Sequence, residues 1–582
     1  MRSIVLAALS VVVVAVSCSA REIVISCGEK DVCAAFRKGI DALRREGGGT
    51  LRFEKGEYHL DVSGAVPVSL HVSNHDQVPV HPVFLPLTNL VDVTVDGGGS
   101  SFVFRGRGMA ALVMDSRNVT LRNFSVDWKR PWYSELKILG FENGKTLVWA
   151  DPAQYPYELR DGYLFEVGED WTARAGGGTA FRADTGEILE QSSDTPFDGA
   201  AEARGEGRYL LAKDFSKIGR GGLRAGDVFL QRVRGYPWRP HPGVVVYRAT
   251  DTTVEDVVIH AAFGMGFLVQ RSENFTLRGT RTAADRTCGV FPAPGRTGAH
   301  VCDATHFSNV KGKVTVENCW FANMLDDAIN VHSTSLAITN VLSATRIRCR
   351  AMHDQAWGFG FFRPGETLRF IRGRTLENDR CVRVTEVRDV SEREVELTLA
   401  EPVPDGIGAG DAVENADYQC AVDFRNNMVT CNRARGALFT SPRPIRVEGN
   451  TFDRVSGSAI LLAGDAQFWY ESGACEDIVI RNNVFRDNLT SRFQFTEGVI
   501  SVYPEVRDLA AQKRAYHRNI TVEDNLFETF DVPLLYAHSA ENVVWRRNRI
   551  VPDTRYQGWG KPRFRTDGCR NVTIEQPTEN GK

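Results

Sequence analysis

Helical periodicity, net charge and long apolar runs are all scarce in this 582-residue chain. Its one apolar run of note, Ile4–Val16, is too short to span a bilayer comfortably, and no other stretch is long enough to cross one. A formal net charge of −3 points neither to nucleic acid nor to an anionic membrane surface as a partner. The 12 cysteines are irregularly spaced and include no Cys-x-x-Cys pair, which argues against a zinc site. Dipeptide hairpin signals are also few, and a β-sandwich would need them between its strands. Glycine (53) and phenylalanine (32) are plentiful, which suits an all-β chain rich in turns.

Residues 1–20 read as an export signal rather than as part of the fold. Arg2 supplies the positive start, Ile4–Val16 the apolar run, and Cys18-Ser19-Ala20 the small residues for cleavage. The protein is therefore expected outside the cytoplasm: periplasmic, secreted or at the cell surface. Ala-Val-Ser-Cys18 resembles a bacterial lipoprotein box, with Ala15 where Leu is usual. A lipidated Cys18 is the one membrane attachment the sequence offers. Without Cys18 an odd number of cysteines remains, of which Cys27 and Cys33 are candidates for a disulfide in an exported protein. The rest read as buried thiols.

In the mature chain Glu22–Cys27 reads as a strand. Asp31 then caps a helix whose apolar positions Val32, Phe36, Ile40 and Leu43 share one face, with Gly47-Gly-Gly49 as its stop. This helix, running into "GGGTLRFEKGEY", resembles the N-terminal entry of pectin-lyase-type parallel β-helices, where a cap blocks edge pairing of an open strand stack. A unit then recurs, for example Asn118-Val-Thr-Leu-Arg-Asn-Phe124, Ile445-Arg-Val-Glu-Gly-Asn-Thr-Phe452, Ile478-Val-Ile-Arg-Asn-Asn-Val-Phe485 and Asn519-Ile-Thr-Val-Glu-Asp-Asn-Leu-Phe527. Each copy alternates apolar and polar residues, ends at Asn or Gly, and often adds an aromatic. Asn or Gly tolerates the left-handed backbone of a sharp turn. Asn427 to Asn450 and Asn525 to Asn548 are both 23 residues apart, one coil of a right-handed parallel β-helix.

Two stretches break the period, roughly 129–243 and 336–419, and both read as β-barrel-like insertions hung on coil loops. The predicted organisation is a cap and first coils (21–128), an inserted domain (129–243), coils (244–335), a second inserted domain (336–419) and C-terminal coils (420–582). The second insertion begins four residues after His332 and is expected to wall the functional site.

That site is placed at Asn323-Met-Leu-Asp-Asp-Ala-Ile-Asn-Val-His332, where Asp326 and Asp327 precede a short alternating strand. Asp303 lies 23 residues upstream of Asp326, and coils stack about 4.7–4.9 Å apart, so the three acids are expected to meet on one outer wall. Segment 326–332 aligns with 497–503, with 457–463 and 435–441 between them. Ile329 and Val331 then face inward, while Asp326, Asn330 and His332 face solvent in line with Glu497, Ser501 and Tyr503. Strict alternation points Asp327 inward, so a bend before Ala328 is expected to turn it out. Three clustered acids suit glycoside hydrolysis, in which one carboxyl protonates the leaving oxygen and the others activate water or attack carbon. Adjacent like charges raise one pKa and keep that proton available. An isolated Asp-Asp pair more often caps a turn, but a third acid one coil away favours chemistry.

"CDATHF" (302–307) and "NCWFANMLDDAINVHST" (318–334), in a β-helix with two β-rich insertions, resemble the glycoside hydrolase family 110 α-galactosidases over essentially the whole mature chain. The resemblance implies exo-hydrolysis of terminal α-1,3-linked galactose, as on blood-group-B and related glycans, with inversion and without metal or cofactor. It carries the catalytic acids onto Asp303, Asp326 and Asp327. By analogy with polygalacturonases, Asp326 is the expected general acid, and Asp303 and Asp327 the activators of water. The Asn-Thr-Asp, Gly-His-Gly and Arg-Ile-Lys motifs of polygalacturonases are absent, which disfavours galacturonan as substrate. His332, Glu497, Arg443, Trp469 and Arg271 are the further candidates for substrate binding. Two rival readings are a calcium-dependent polysaccharide lyase, disfavoured because no Lys or Arg is expected in register beside the acids, and a non-enzymatic glycan-binding β-helix. A homodimer is compatible with the sequence, which does not specify the oligomeric state.

Overall fold

The computed structural model describes residues 21–192, 194–235, 237–283, 295–493, 495–576 and 578–579. The proposed export signal and Cys18 lie outside the described residues, among which no helix is long and apolar enough to cross a membrane. The chain is a parallel β-helix. One face is a 13-stranded sheet; the other two are stacks joined into a 22-stranded sheet by the long strands Val91–Arg105, Arg117–Trp128 and Thr250–Ile259.

Helix Val32–Glu46 closes the N-terminal end. Asp31 accepts a hydrogen bond from the Ala34 amide at 2.9 Å, Gly47 ends the helix in the left-handed conformation, and Val32, Phe36, Ile40 and Leu43 are buried. The expected Cys27–Cys33 disulfide does not form, and both thiols are free. Cys33 faces the core from the helix against Gly64, whereas Cys27 turns towards Gly56.

The coil unit works through its turn. Asn426, Gly449, Asn482, Asp524 and Arg547 all adopt positive φ between 52° and 67°. Each turns the next residue inward, so that Asn427, Asn450, Asn483, Asn525 and Asn548 stack as a buried ladder. Each side-chain amide donates to the next oxygen in the column at 3.0 Å. Inside the helix Phe452, Phe485, Phe527 and Trp545 stack at centroid spacings of 5.3, 4.7 and 5.1 Å. The aromatics that follow the turns at Asn450, Asn483 and Asn525 thus join Trp545 in a continuous core column, with ring contacts each worth about 0.5–1.5 kcal/mol beyond area burial.

The first insertion is an antiparallel eight-stranded sheet between Tyr133 and Val233, and a bridge from Tyr163 to Ala200 brings its ends together into a nearly closed barrel. The second is a closed six-stranded barrel between Leu336 and Asn415. Each has its own apolar core.

Candidate active site

Strands Thr305–Ser308, Ile329–Thr334 and Ala437–Phe439 are consecutive in the 13-stranded face, with Thr305 paired to Ile329 and Ile329 to Ala437. Asp303, Asp327 and Arg435 each stand two residues before their strand and therefore form one column. The coil period at this point is 24 residues, so Asp303 is in register with Asp327, and Asp326 sits one position earlier on the turn. Carboxylate oxygens of all three acids lie within 4.8 Å of one another.

The expected alignment holds for 460 and 500 beside 329 but slips by one residue at 435–441, because Ala437 rather than Leu438 pairs with Ile329. Left-handed Cys431 and Ala434 shape the turn into that strand. The slip brings Arg435 against Asp327, which corrects the expectation that no basic residue stands beside the acids. Its amide and guanidinium donate to the two Asp327 oxygens at 3.0 and 2.9 Å. The backbone bends at 325, 326 and 328, as expected, and Asp327 joins the other two acids at the pocket. It is nevertheless only 1% exposed, and the Arg435 pairing compensates its burial.

Asp326 receives Arg239 at 3.0 Å and Arg433 at 3.2 Å. Arg433 also grips Asp194 of the first insertion through two bonds of 2.7 Å. Arg239 is held in turn by Asp76, which accepts its amide at 2.9 Å and is braced by Gln355 of the second barrel at 2.7 Å. Asp303 has no guanidinium partner among the described residues; its Oδ2 lies 2.8 Å from His306 Nδ1. Burial, then the charge on Asp326, pushes the Asp303 carboxyl up to about 8 against the pull of Arg239 and Arg435. Burial also holds Asp327 well above the usual carboxylate range, although Arg435 opposes it.

The acids open into a pocket of about 260 Å³ walled by Asp194, Arg232, Trp238, Arg239, Arg433, Asp465, Trp469, Glu471, Phe495 and Glu505. Burial, with Asp465 and Glu471 nearby, pushes Glu505 up to about 8. The first insertion and its exit supply part of this wall. The second barrel, expected to wall the site, does not line it. It braces the wall from behind, as where His353 stacks on Trp469 with centroids 4.0 Å apart. A larger cleft of about 1260 Å³ lies between the second barrel and the C-terminal coils, but it holds none of the acids, and several of its arginines are paired with Glu414, Asp379 and Asp508.

Of the other candidates, Trp469 lines the pocket. His332 does not face solvent. It is 3% exposed behind Asp303, with Nε2 2.8 Å from His306 Nε2. Asp326 and Asn330 are buried too, because segments around Asn74, Arg239 and Glu471 cover this wall. Glu497 lies three coils further along, about 14 Å at the usual spacing; it is half-exposed, 3.7 Å from Lys561, and outside the pocket. Arg443 is exposed on a loop away from the pocket. Arg271 is buried as a structural anchor, 3.0 Å from Glu366 and over the Tyr418 ring at 3.7 Å.

Sequence reasoning missed His306, Arg239, Arg433, Arg435 and Glu471. His306 was visible three residues after Asp303 in "CDATHF", and Arg433-x-Arg435 precedes its strand as the acids precede theirs. Arg239 and Glu471 carry no local signal. Asp303, Asp326 and Asp327 are spaced to share a cation, as are His306, His332 and Glu471. In the first group Arg239, Arg433 and Arg435 already supply the positive charge; in the second the two imidazole nitrogens face each other at hydrogen-bond distance.

Comparison with known proteins matches residues 134–223 to the family model "GLAA-B beta-barrel domain I" and residues 346–413 to "GLAA-B beta-barrel domain II". The chain is 45% identical over 548 residues to an α-1,3-galactosidase B of Akkermansia muciniphila, covering 94% of this chain and 67% of that protein. It is 38% identical over 544 residues to an α-1,3-galactosidase B of Phocaeicola vulgatus, covering 90% of each. Among solved structures, the Yersinia enterocolitica family 28 exopolygalacturonase aligns over 96% of this chain and 79% of that one, at 11% identity and a TM-score of 0.38. Identity at this level along nearly the whole chain, with both barrels matched by the family's own models, makes this chain a member of the glycoside hydrolase family 110 α-1,3-galactosidases.

Proposed function

We propose that the protein removes terminal α-1,3-linked galactose from glycans, blood-group-B structures, linear α-1,3-galactosides or both, by an exo-acting, inverting acid/base mechanism outside the cytoplasm. The observation that carries this reading is the cluster of three buried carboxylates at the floor of a small pocket. The pocket volume falls below the roughly 300–1,000 Å³ of sites for larger ligands, which suits one terminal sugar rather than a threaded polymer. Trp469 offers a ring to the apolar face of that sugar.

Asp326, the most exposed of the three, is assigned as general acid, and Asp303 and Asp327 as activators of water. Arg239 and Arg433 both hold Asp326. Its role as acid therefore requires incoming sugar hydroxyls to draw one guanidinium away. Arg435 occupies both oxygens of Asp327, which makes that carboxylate a holder of water rather than a nucleophile.

Leaving-group dependence tests the assignment. Asp326→Asn should lose about 10²–10⁴-fold on a natural α-1,3-galactoside. It should lose far less on a nitrophenyl galactoside, whose leaving group needs no proton. Equal losses on both substrates would remove Asp326 as the acid. The same assay followed by proton magnetic resonance reads the anomer released first. Carboxylate oxygens within 4.8 Å are close to the roughly 5–5.5 Å separation of retaining enzymes, so an α-anomeric first product would replace inversion by a covalent intermediate.

A further inference from the structure

Behind Asp303 runs an unbroken line of short polar contacts. His306 Nδ1 is 2.8 Å from Asp303 Oδ2, His306 Nε2 is 2.8 Å from His332 Nε2, and His332 Nδ1 is 3.0 Å from the Ser333 carbonyl. A carbonyl only accepts, so His332 Nδ1 carries a proton. The other two contacts need one proton each, since paired acceptors or paired donors at 2.8 Å repel. The line thus holds three protons, and they can be placed in two favourable ways. In one, Asp303 is a neutral acid and both rings are neutral. In the other, Asp303 is a carboxylate, His306 is neutral and His332 is an imidazolium. A third placement charges His306, whose full burial holds its pKa well below the usual histidine value.

Glu471 bears on the choice between the first two. Its Oε1 stands 3.5 Å from His332 Nε2 and accepts from Asn74 at 2.8 Å. Burial pushes its carboxyl up, but His332, His306 and Arg435 outweigh burial and hold it below the usual range. We propose that His306, His332 and Glu471 form a proton relay that draws the shared proton from Asp303 to His332, leaving Asp303 a carboxylate able to accept a proton from the attacking water. The relay rests on the reading of Asp303 as a base. His306, at the edge of the pocket, and His332, behind it, act as positioning residues through Asp303.

Other charges face this line. Arg239 and Arg435 pull on Asp303 against Asp326, while His75 and Arg239 oppose charge on His306. Asp465, Glu505 and His353 surround Glu471. Burial pushes the carboxyls of Asp465 and Glu505 up, so Glu471 is the carboxylate that faces the His332 end, where the imidazolium is to sit. In turnover a water O–H bond breaks, its proton goes to the free Asp303 oxygen, and its electron pair forms the new bond to the anomeric carbon. The glycosidic bond breaks with its pair on the departing oxygen, which takes the proton of Asp326.

The test is the pH profile of kcat and KM for His332→Asn and Glu471→Gln, with Asp303→Asn as reference and thermal melting to verify folding. Asn at 332 still accepts from His306 but takes no proton, so Asp303 keeps its own. The acid limb of kcat/KM should then rise by about one unit or more, with the wild-type rate approached above it and KM little changed for His332→Asn. An unmoved limb in both folded variants, or a loss by one factor at every pH, overturns the relay while leaving an inactive Asp303→Asn to support the base. Full turnover by Asp303→Asn would remove the base itself and the relay with it.

Discussion

Replacing Asn450 by Ala cuts the ladder at its second rung and tests what holds the coils in register. The side chain donates to the Phe424 carbonyl at 2.8 Å and to Asn483 Oδ1 at 3.0 Å. Its oxygen accepts from the amide and the side chain of Asn427 at 2.9 and 3.0 Å. Four bonds at about 1 kcal/mol net each give about 4 kcal/mol, and the stranded, buried Asn427 amide adds about 1–3 kcal/mol. A water entering the vacated space would recover part of this, so a loss of about 3–5 kcal/mol is expected. That is a large share of the roughly 5–15 kcal/mol of a typical domain. Urea titration gives the loss, and hydrogen exchange locates it in the flanking coils. Asn450→Asp keeps the accepting oxygen but aims a second one at two carbonyl-type oxygens. Its folded pKa should be raised, so its stability should fall as pH rises from about 4 towards that pKa. A loss below about 1 kcal/mol for Asn450→Ala, with unchanged exchange in the neighbouring coils, would show that the aromatic column alone sets the register.

Asp303→Asn, Asp326→Asn and Asp327→Asn should each lose about 10²–10⁴-fold in turnover on a natural α-1,3-galactoside while melting near the wild type; a near-wild-type rate in any one removes it from the trio. Glu497→Gln and Arg443→Ala should leave kcat/KM within about twofold, because both side chains lie outside the pocket. Buried His517, whose Nδ1 accepts the Cys475 amide at 3.0 Å, is pushed by burial from 6.5 down to about 3. A lowered folded pKa gives stability that is present above 6.5 and lost as pH falls towards 3, so urea midpoints should drop over that window. His517→Asn should flatten the drop by up to about one proton; an unchanged slope would show that this histidine protonates without unfolding cost.

Much of the scaffold was legible because its signals are local. Asp31 and Gly47 mark the ends of the capping helix through backbone groups within a few residues. The 23-residue recurrence of Asn427 and Asn450 reports a ladder whose rungs must each present the same amide. The three acids stand out because stacking converts coil period into proximity. The one-residue slip at Arg435 was not legible, since a left-handed turn absorbs a residue without disturbing the alternation on either side. The outer wall misled for another reason: alternation says which residues leave the core, not whether something else covers them.

By itself the sequence determined the β-helix, its two interruptions and the three carboxylates that meet, because alternation, turn residues and period each act over at most one coil. Only the tertiary structure decided their electrical surroundings. Arg239 reaches Asp326 from 87 residues away, Arg435 reaches Asp327 from 108, and Glu471 comes within 3.5 Å of His332 across 139. Such partners leave no periodic trace, since a buried charge needs only an opposite charge at the right distance, from whatever part of the chain folds over it.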